Sequence, residues 1–118
     1  MDRTELVRRL ALNAICDDYE NVDQVIFREV AETGSKCGLT IGRQEVVDTL
    51  AGLVEDGMAK AYALSSREPY CTELPGMPPL DSIEEDFKTY FYITKHGMDF
   101  HCSDHRWFPL DKEDEAHL

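Results

Sequence analysis

The sequence predicts a single α+β domain, mainly helical, on three observations: apolar stripes at helical spacing fill residues 3–56, two strand-like runs follow Gly57, and a capped segment begins at Thr94. A chain of 118 residues is long enough to bury one core and too short for two ordinary domains. Its hydrophobic share of 42% is that of an ordinary globular protein, so the bulk of it is expected to fold without a partner.

Helix one is expected from Arg3 to about Asp17, where Leu6, Val7, Leu10, Ala14 and Ile15 make one apolar stripe and Arg8, Arg9 and Asn13 occupy other faces. After Asp17-Asp18-Tyr19-Glu20-Asn21, a second stripe of Val22, Val25, Ile26, Val30 and Ala31 ends at Gly34, a residue suited to leaving a helix. Residues 35–42 read as a turn, and Gly42 is placed to begin helix three, whose stripe is Val46, Val47, Leu50, Leu53 and Val54. Gly57 then offers a left-handed exit.

Met58 to Leu64 reads as a strand of weak, alanine-rich propensity, and Thr89-Tyr90-Phe91-Tyr92-Ile93 as a strong one, the two being expected to pair antiparallel. Between them, residues 65–86 hold four prolines and six acidic residues that break any periodicity, so a long, partly disordered loop is expected. Thr94 can cap a short helix through roughly Cys102. The organisation is then a folded domain over residues 1–104, with an aromatic segment and a solvated acidic tail over residues 105–118.

Three helices, two strands joined by a loop and a short helix, in that order, resemble the winged helix-turn-helix regulators from about Leu6 to Phe100. The run from Arg43 to Gly57 is similar to that family's third helix and its turn into the wing, and Tyr92-Ile93-Thr94-Lys95-His96-Gly97 to the exit from its second wing strand. The resemblance implies a three-helix core, a two-stranded antiparallel wing, a short C-terminal helix, and a third helix that contacts DNA. The wing departs from the pattern: it is long, proline-rich and acidic, where a DNA-binding wing is short and basic.

Charge bears directly on function. Twenty-four acidic against twelve basic side chains leave a net charge of −12, which repels nucleic acid and anionic lipid at long range. On helix three the apolar stripe leaves Arg43, Gln44, Asp48, Thr49, Gly52 and Glu55 toward solvent or a partner, and only Arg43 is cationic. Phosphate contacts require Lys or Arg, so Glu45, Asp48 and Glu55 oppose a reading helix. The expected function is therefore an interaction module working by protein contact, through Lys36, Arg43, Gln44, Asp48, Thr49 and Arg67. Its alternative is a DNA-binding transcriptional regulator in which Lys36 and Arg43 converge with Arg67 or Lys88 on a local basic patch.

Trp107 and Phe108, with Phe100, are expected to dock the C-terminal segment or to pair with a second copy in a homodimer. His101, Cys102 and His105 invite a weaker reading as a metal-responsive switch, but a second ligand pair at recognisable spacing is missing, so neither metal nor cofactor is expected. The blander reading makes Cys102 a buried residue and the histidines surface side chains. Cys16, Cys37, Cys71 and Cys102 form no Cys-x-x-Cys pair and are expected as reduced, mostly buried thiols.

Glu84-Glu85-Asp86 lie in a proline-rich stretch without a scaffold, and no phosphate loop or nucleophile motif is present, so enzymatic activity is not expected. The charged opening Met1-Asp2-Arg3-Thr4-Glu5 and the lack of a long apolar run point to a cytoplasmic protein without a membrane role.

Overall fold

The computed structural model describes residues 1–79 and 89–104. It is an α+β arrangement of α1 (Arg3–Ala14), a π-helical turn (Val22–Ile26) running into α2 (Phe27–Lys36), α3 (Arg43–Glu55), β1 (Ala59–Leu64), β2 (Cys71–Glu73), β3 (Thr89–Ile93) and α4 (Lys95–Cys102). The helices begin where side chains satisfy their first amides. Asp2 accepts from the Glu5 amide at 2.8 Å, Asn21 from Gln24 at 2.7 Å, and Thr94 from Gly97 at 3.1 Å. Gly42 opens α3 in extended geometry without a side-chain cap, and Gly57 leaves it at φ 75°, both as the sequence predicts.

Two helix boundaries differ from expectation. α1 stops at Ala14 rather than near Asp17 because the backbone beyond it is drawn onto β3. The Ile15 carbonyl accepts from the Ile93 amide at 3.2 Å, and Glu20 and Phe91 exchange backbone hydrogen bonds of 3.1 and 2.8 Å. α2 continues past Gly34 to Lys36, and Gly38 at φ 82° makes the left-handed exit. Gly34 serves packing instead: a Cβ there would stand 2.5 Å from the Ile41 Cδ1 atom.

The sheet has the order β2-β1-β3 with both pairings antiparallel. β1 meets β3 in the register Ala59 to Ile93, Ala61 to Phe91 and Ala63 to Thr89. The expected two-stranded wing thus carries a third strand, β2, within the stretch read as a partly disordered loop. A turn closed by the Ser65 amide on the Tyr70 carbonyl, at 2.9 Å, returns the chain so that Tyr62 faces Glu73 and Leu64 faces Cys71. Three residues flanked by prolines are too few to show a period of two. Residues 80–86 of that stretch, with Glu84, Glu85 and Asp86, lie outside the described residues, as do Phe87 and Lys88.

The core is shared by all the helical stripes and one face of the sheet. Val7, Leu10, Leu12, Ile15, Ile26, Val30, Val46, Leu50, Leu53 and Phe91 are all at most 2% exposed. Ala59 and Ala61, poor strand formers, are buried with them, and small side chains suit a strand packed directly beneath α3. α4 approaches still more closely: a Cβ on Gly97 would overlap the Met58 carbonyl oxygen and stand 2.8 Å from the Ile93 Cγ1 atom.

Arg9, expected off the apolar stripe of α1, is only 4% exposed. Its Nη1 donates to the Phe100 carbonyl at 2.7 Å, its Nη2 to the Ser103 hydroxyl at 3.1 Å, and its guanidinium lies 4.1 Å from the centre of the Phe100 ring. A cation at the carboxyl end of α4 is favoured by the helix dipole and supplies donors to terminal carbonyls. The thiols also differ from expectation: Cys16 and Cys37 are half-buried and Cys71 and Cys102 exposed, because each lies at or beyond the end of an element. Among the described residues no helix is long and apolar enough to cross a membrane.

Candidate functional site

α3 directs Val46, Val47, Leu50 and Leu53 into the core and leaves Gln44, Asp48 and Glu55 exposed, with Arg43, Thr49 and Gly52 partly so. Arg43 is held by a carboxylate. Its Nε and Nη2 donate to the two oxygens of Asp23 at 2.7 and 3.1 Å, a two-point grip from the π-helical turn. Gln44 donates to Asp48 at 2.9 Å, and the Thr49 hydroxyl to the Glu45 carbonyl at 2.7 Å.

The other acids of α3 and its exit are answered from α1. Arg3 donates to both oxygens of Glu45 at 2.9 and 2.8 Å and to the Thr40 carbonyl at 2.7 Å. The Arg3 hydrogen bonds hold the Glu45 carboxyl below the usual carboxylate range, and the same contact raises the Arg3 guanidinium. Arg8 donates to Asp56 at 2.6 Å and passes over Gly52, where a Cβ would stand 2.9 Å from Nη2. Between α1 and α3 lies a groove of about 410 Å³ lined by Thr4, Val7, Arg8, Asp48, Thr49 and Gly52 among others.

Of the residues singled out from sequence, Arg43, Gln44, Asp48 and Thr49 share α3, Lys36 ends α2, and Arg67 lies exposed in the turn between β1 and β2, its amide on the Ser65 hydroxyl at 3.1 Å. In α4, His101 Nε2 meets the Asn13 side-chain oxygen at 3.1 Å, and Cys102, expected as buried, is exposed at the helix end with its sulfur 4.0 Å from the His101 Nδ1 atom. Among the described residues no group of three or more His, Cys, Asp or Glu side chains could hold a metal ion. His105, Trp107 and Phe108 lie outside the described residues.

A second surface escaped the sequence reading. β1 and β3 turn Tyr62, Tyr90 and Tyr92 to the face opposite the core, and Tyr19 from the α1–α2 connection packs onto it. The Tyr19 ring meets Tyr62 edge-on at 5.0 Å between centroids and Tyr92 at 4.7 Å. Lys60, opposite Tyr92 on the same face, pairs with Glu73 at 2.7 Å, and the neighbouring connection carries Asp17, Asp18 and Glu20, which with Glu29 of α2 make no salt bridge among the described residues. Partial burial, then Asp18, Glu29 and Asp17, raise the Glu20 carboxyl; burial and then Asp17 raise Glu29, against the opposing pull of Arg28. Burial also pushes the Tyr19 and Tyr62 hydroxyls up.

The sequence did carry a signal for this face. Tyr90 and Tyr92 alternate with Phe91, so a strand that buries Phe91 must place both tyrosines on the other side. Tyr19 gave no such sign, since only the Glu20 to Phe91 bridge brings it there. No protein-family model matches the chain, and neither a curated protein nor a solved structure matches it.

Proposed function

We propose that this chain is a winged-helix module that acts by protein contact, with another protein or a second copy as its partner. The order α1, bridging residue Glu20, α2, α3 and the β1–β3 pair supports the winged-helix part of that reading. The contact part rests on one observation: the single cation of the outward α3 face, Arg43, is gripped at two points by Asp23, and the exposed neighbours Asp48 and Glu55 would face phosphate with carboxylates. Arg43, Gln44, Asp48 and Thr49 of α3, together with Lys36 and Arg67, are the proposed contact residues, with Trp107 and Phe108 as docking or dimer residues.

A DNA-binding regulator is the second reading, favoured by the likeness of the Arg43 to Gly57 run to a recognition helix. It requires Arg43 to leave Asp23. Binding to a random-duplex DNA pool at about 50 and 200 mM salt separates the two, because several phosphate contacts cost orders of magnitude in affinity over that range. The expected result is no binding by the parent chain at either salt. Salt-sensitive binding that enriches a sequence, strengthened by Asp23→Asn and lost in Arg43→Ala, would give first place to the regulator.

A further inference from the structure

We infer that the groove between α1 and α3 is a binding site for a small zwitterion of the α-amino-acid class. The inference goes beyond the protein-contact reading and stands whether or not that reading holds. The groove offers about 410 Å³, at the small end of the range of about 300–1,000 Å³ usual for ligand clefts. Val7, 1% exposed, closes its bottom. Thr4 and Arg8 of α1 stand on one side, and Asp48, Thr49 and Gly52 of α3 on the other.

Two of these groups carry opposite charge and are only partly engaged. Arg8 donates to Asp56 through Nη1 at 2.6 Å, while its Nη2 lies over Gly52 and makes no hydrogen bond among the described residues. Asp48 accepts from the Gln44 side-chain amide at 2.9 Å on one oxygen, and its other oxygen has no partner among the described residues. Arg8 and Asp48 are not paired with each other, since the salt bridge of Arg8 runs to Asp56. Glu45, which also lines the groove, is held at both oxygens by Arg3 and has less to offer a ligand.

The backbone sets the spacing of the two charges. Asp48 stands one turn before Gly52 on α3, which puts their Cβ positions about 5–6 Å apart. A Cβ on Gly52 would stand 2.9 Å from Arg8 Nη2, so the missing methyl is what lets the guanidinium lie there. Asp48 leans back toward Gln44, which widens the gap between carboxylate and guanidinium beyond that turn. A ligand carboxylate on Nη2 and a ligand ammonium on Asp48, each at about 2.8 Å, span such a gap with the single carbon that separates them in an α-amino acid.

Charge excludes the simpler occupants. An anion alone would meet Asp48, a cation alone would meet Arg8, and a neutral apolar molecule would strip water from both without returning a hydrogen bond. Among the described residues no group of acids, thiols or imidazoles could hold a metal ion there.

The test is a titration of the isotope-labelled full chain, followed by its amide NMR shifts, with glycine, L-alanine and L-valine, and with propionate and propylamine as singly charged counterparts. The expected result is saturable shifts at Asp48, Thr49 and Gly52 with a dissociation constant of about 1 mM or tighter for the amino acids, and about tenfold weaker binding of either counterpart. Asp48→Asn should weaken the amino acids about tenfold, while Glu55→Gln, the same loss of charge elsewhere on α3, should change them less than about twofold.

Gly52→Ala should also weaken them about tenfold by pushing Arg8 aside, with a thermal midpoint equal to or above that of the parent because alanine favours a helix. Asp48→Asn, at an exposed position, carries the test if Gly52→Ala folds poorly. No saturable shift with any of the amino acids up to about 10 mM would overturn the site. So would equal affinity for a singly charged counterpart, shifts centred away from the groove, or indifference to Asp48→Asn or to a folded Gly52→Ala.

Discussion

The α1–α3 side and the α1–α2 connection with the start of α2 both carry clusters of acids, and they handle them in opposite ways. On the first, Arg3 meets Glu45, Arg8 meets Asp56 and Arg43 meets Asp23, all at 2.6–2.8 Å. On the second, Asp17, Asp18, Glu20 and Glu29 make no salt bridge among the described residues; partial burial and their neighbours' charges raise Glu20 and Glu29, and at Glu29 only Arg28 pulls the other way. The difference is one of sequence placement. α1 presents three arginines, at Arg3, Arg8 and Arg9, along its helical surfaces, whereas the connection that follows it is acidic and aromatic. The paired side answers those charges internally; the acids of the connection keep their charge without a salt bridge among the described residues, at a cost that partial burial raises.

The largest effect is expected where the paired side reaches into the core. Arg9→Ala removes the hydrogen bonds to the Phe100 carbonyl and the Ser103 hydroxyl and empties the space beneath the Phe100 ring, and should lower unfolding free energy by about 2–3 kcal/mol in a denaturant titration. Arg9→Met should lose less, because the apolar stem carries part of the packing and the buried Nε, which has no hydrogen-bond partner, disappears with the charge. If the alanine variant were as stable as the parent, α4 would not depend on α1 in the way described.

Asn21 is where the two regions join. It is 1% exposed, caps the π-helical turn through the Gln24 amide, and follows directly on the acidic stretch. Asn21→Ala should cost about 1–2 kcal/mol, visible as a lowered thermal midpoint, whereas Asn21→Asp should keep most of the cap while adding a fifth acid to the cluster. A larger loss for aspartate than for alanine would mean that repulsion there outweighs capping.

The smallest effect, and the one that most sharpens the contrast, is in pH. Glu20 and Glu29 bind protons more tightly in the folded chain than in the unfolded one. Their penalty is fully present above the raised folded values and is relieved as pH falls through them toward the ordinary 4.5. Glu45 is the reverse: Arg3 lowers it, so its contribution is present above 4.5 and lost as pH falls through the lowered folded value. Thermal midpoints followed from neutrality to about pH 3 should therefore show Glu20→Gln with Glu29→Gln removing a gain on acidification, and Glu45→Gln removing a loss. Changes of the same sign in both variants would erase the distinction between the regions.

What sequence made legible follows the same division. Local signals were sound: the stripes of Val46, Val47, Leu50 and Leu53 and of Leu10, Ala14 and Ile15 are core, and Gly42, Gly57 and Thr94 terminate elements as their chemistry suggests. Long-range pairings were not. β2 has too few residues to declare itself, and the true stop of α1 depends on a strand that follows much later. The burial of Arg9 was not legible because helical spacing says which face a residue occupies but not whether another helix end arrives there. For the candidate site, α3 showed its own acids but not that Asp23 would hold Arg43, and the tyrosine face existed only once Glu20 met Phe91.

That meeting of Glu20 with Phe91 also constrains how the chain comes together in time. Phe91 has no exposed surface and sits against a core whose other large members belong mostly to α1, the π-helical turn, α2 and α3, all made before it during synthesis. Until β3 is available, the helices have no partner for the face it covers, and closing the long intervening segment is an entropic step that local helix formation does not need. The helical half should therefore behave as a collapsed but unfinished intermediate on a growing chain, becoming a native structure only when its last strand leaves the ribosome.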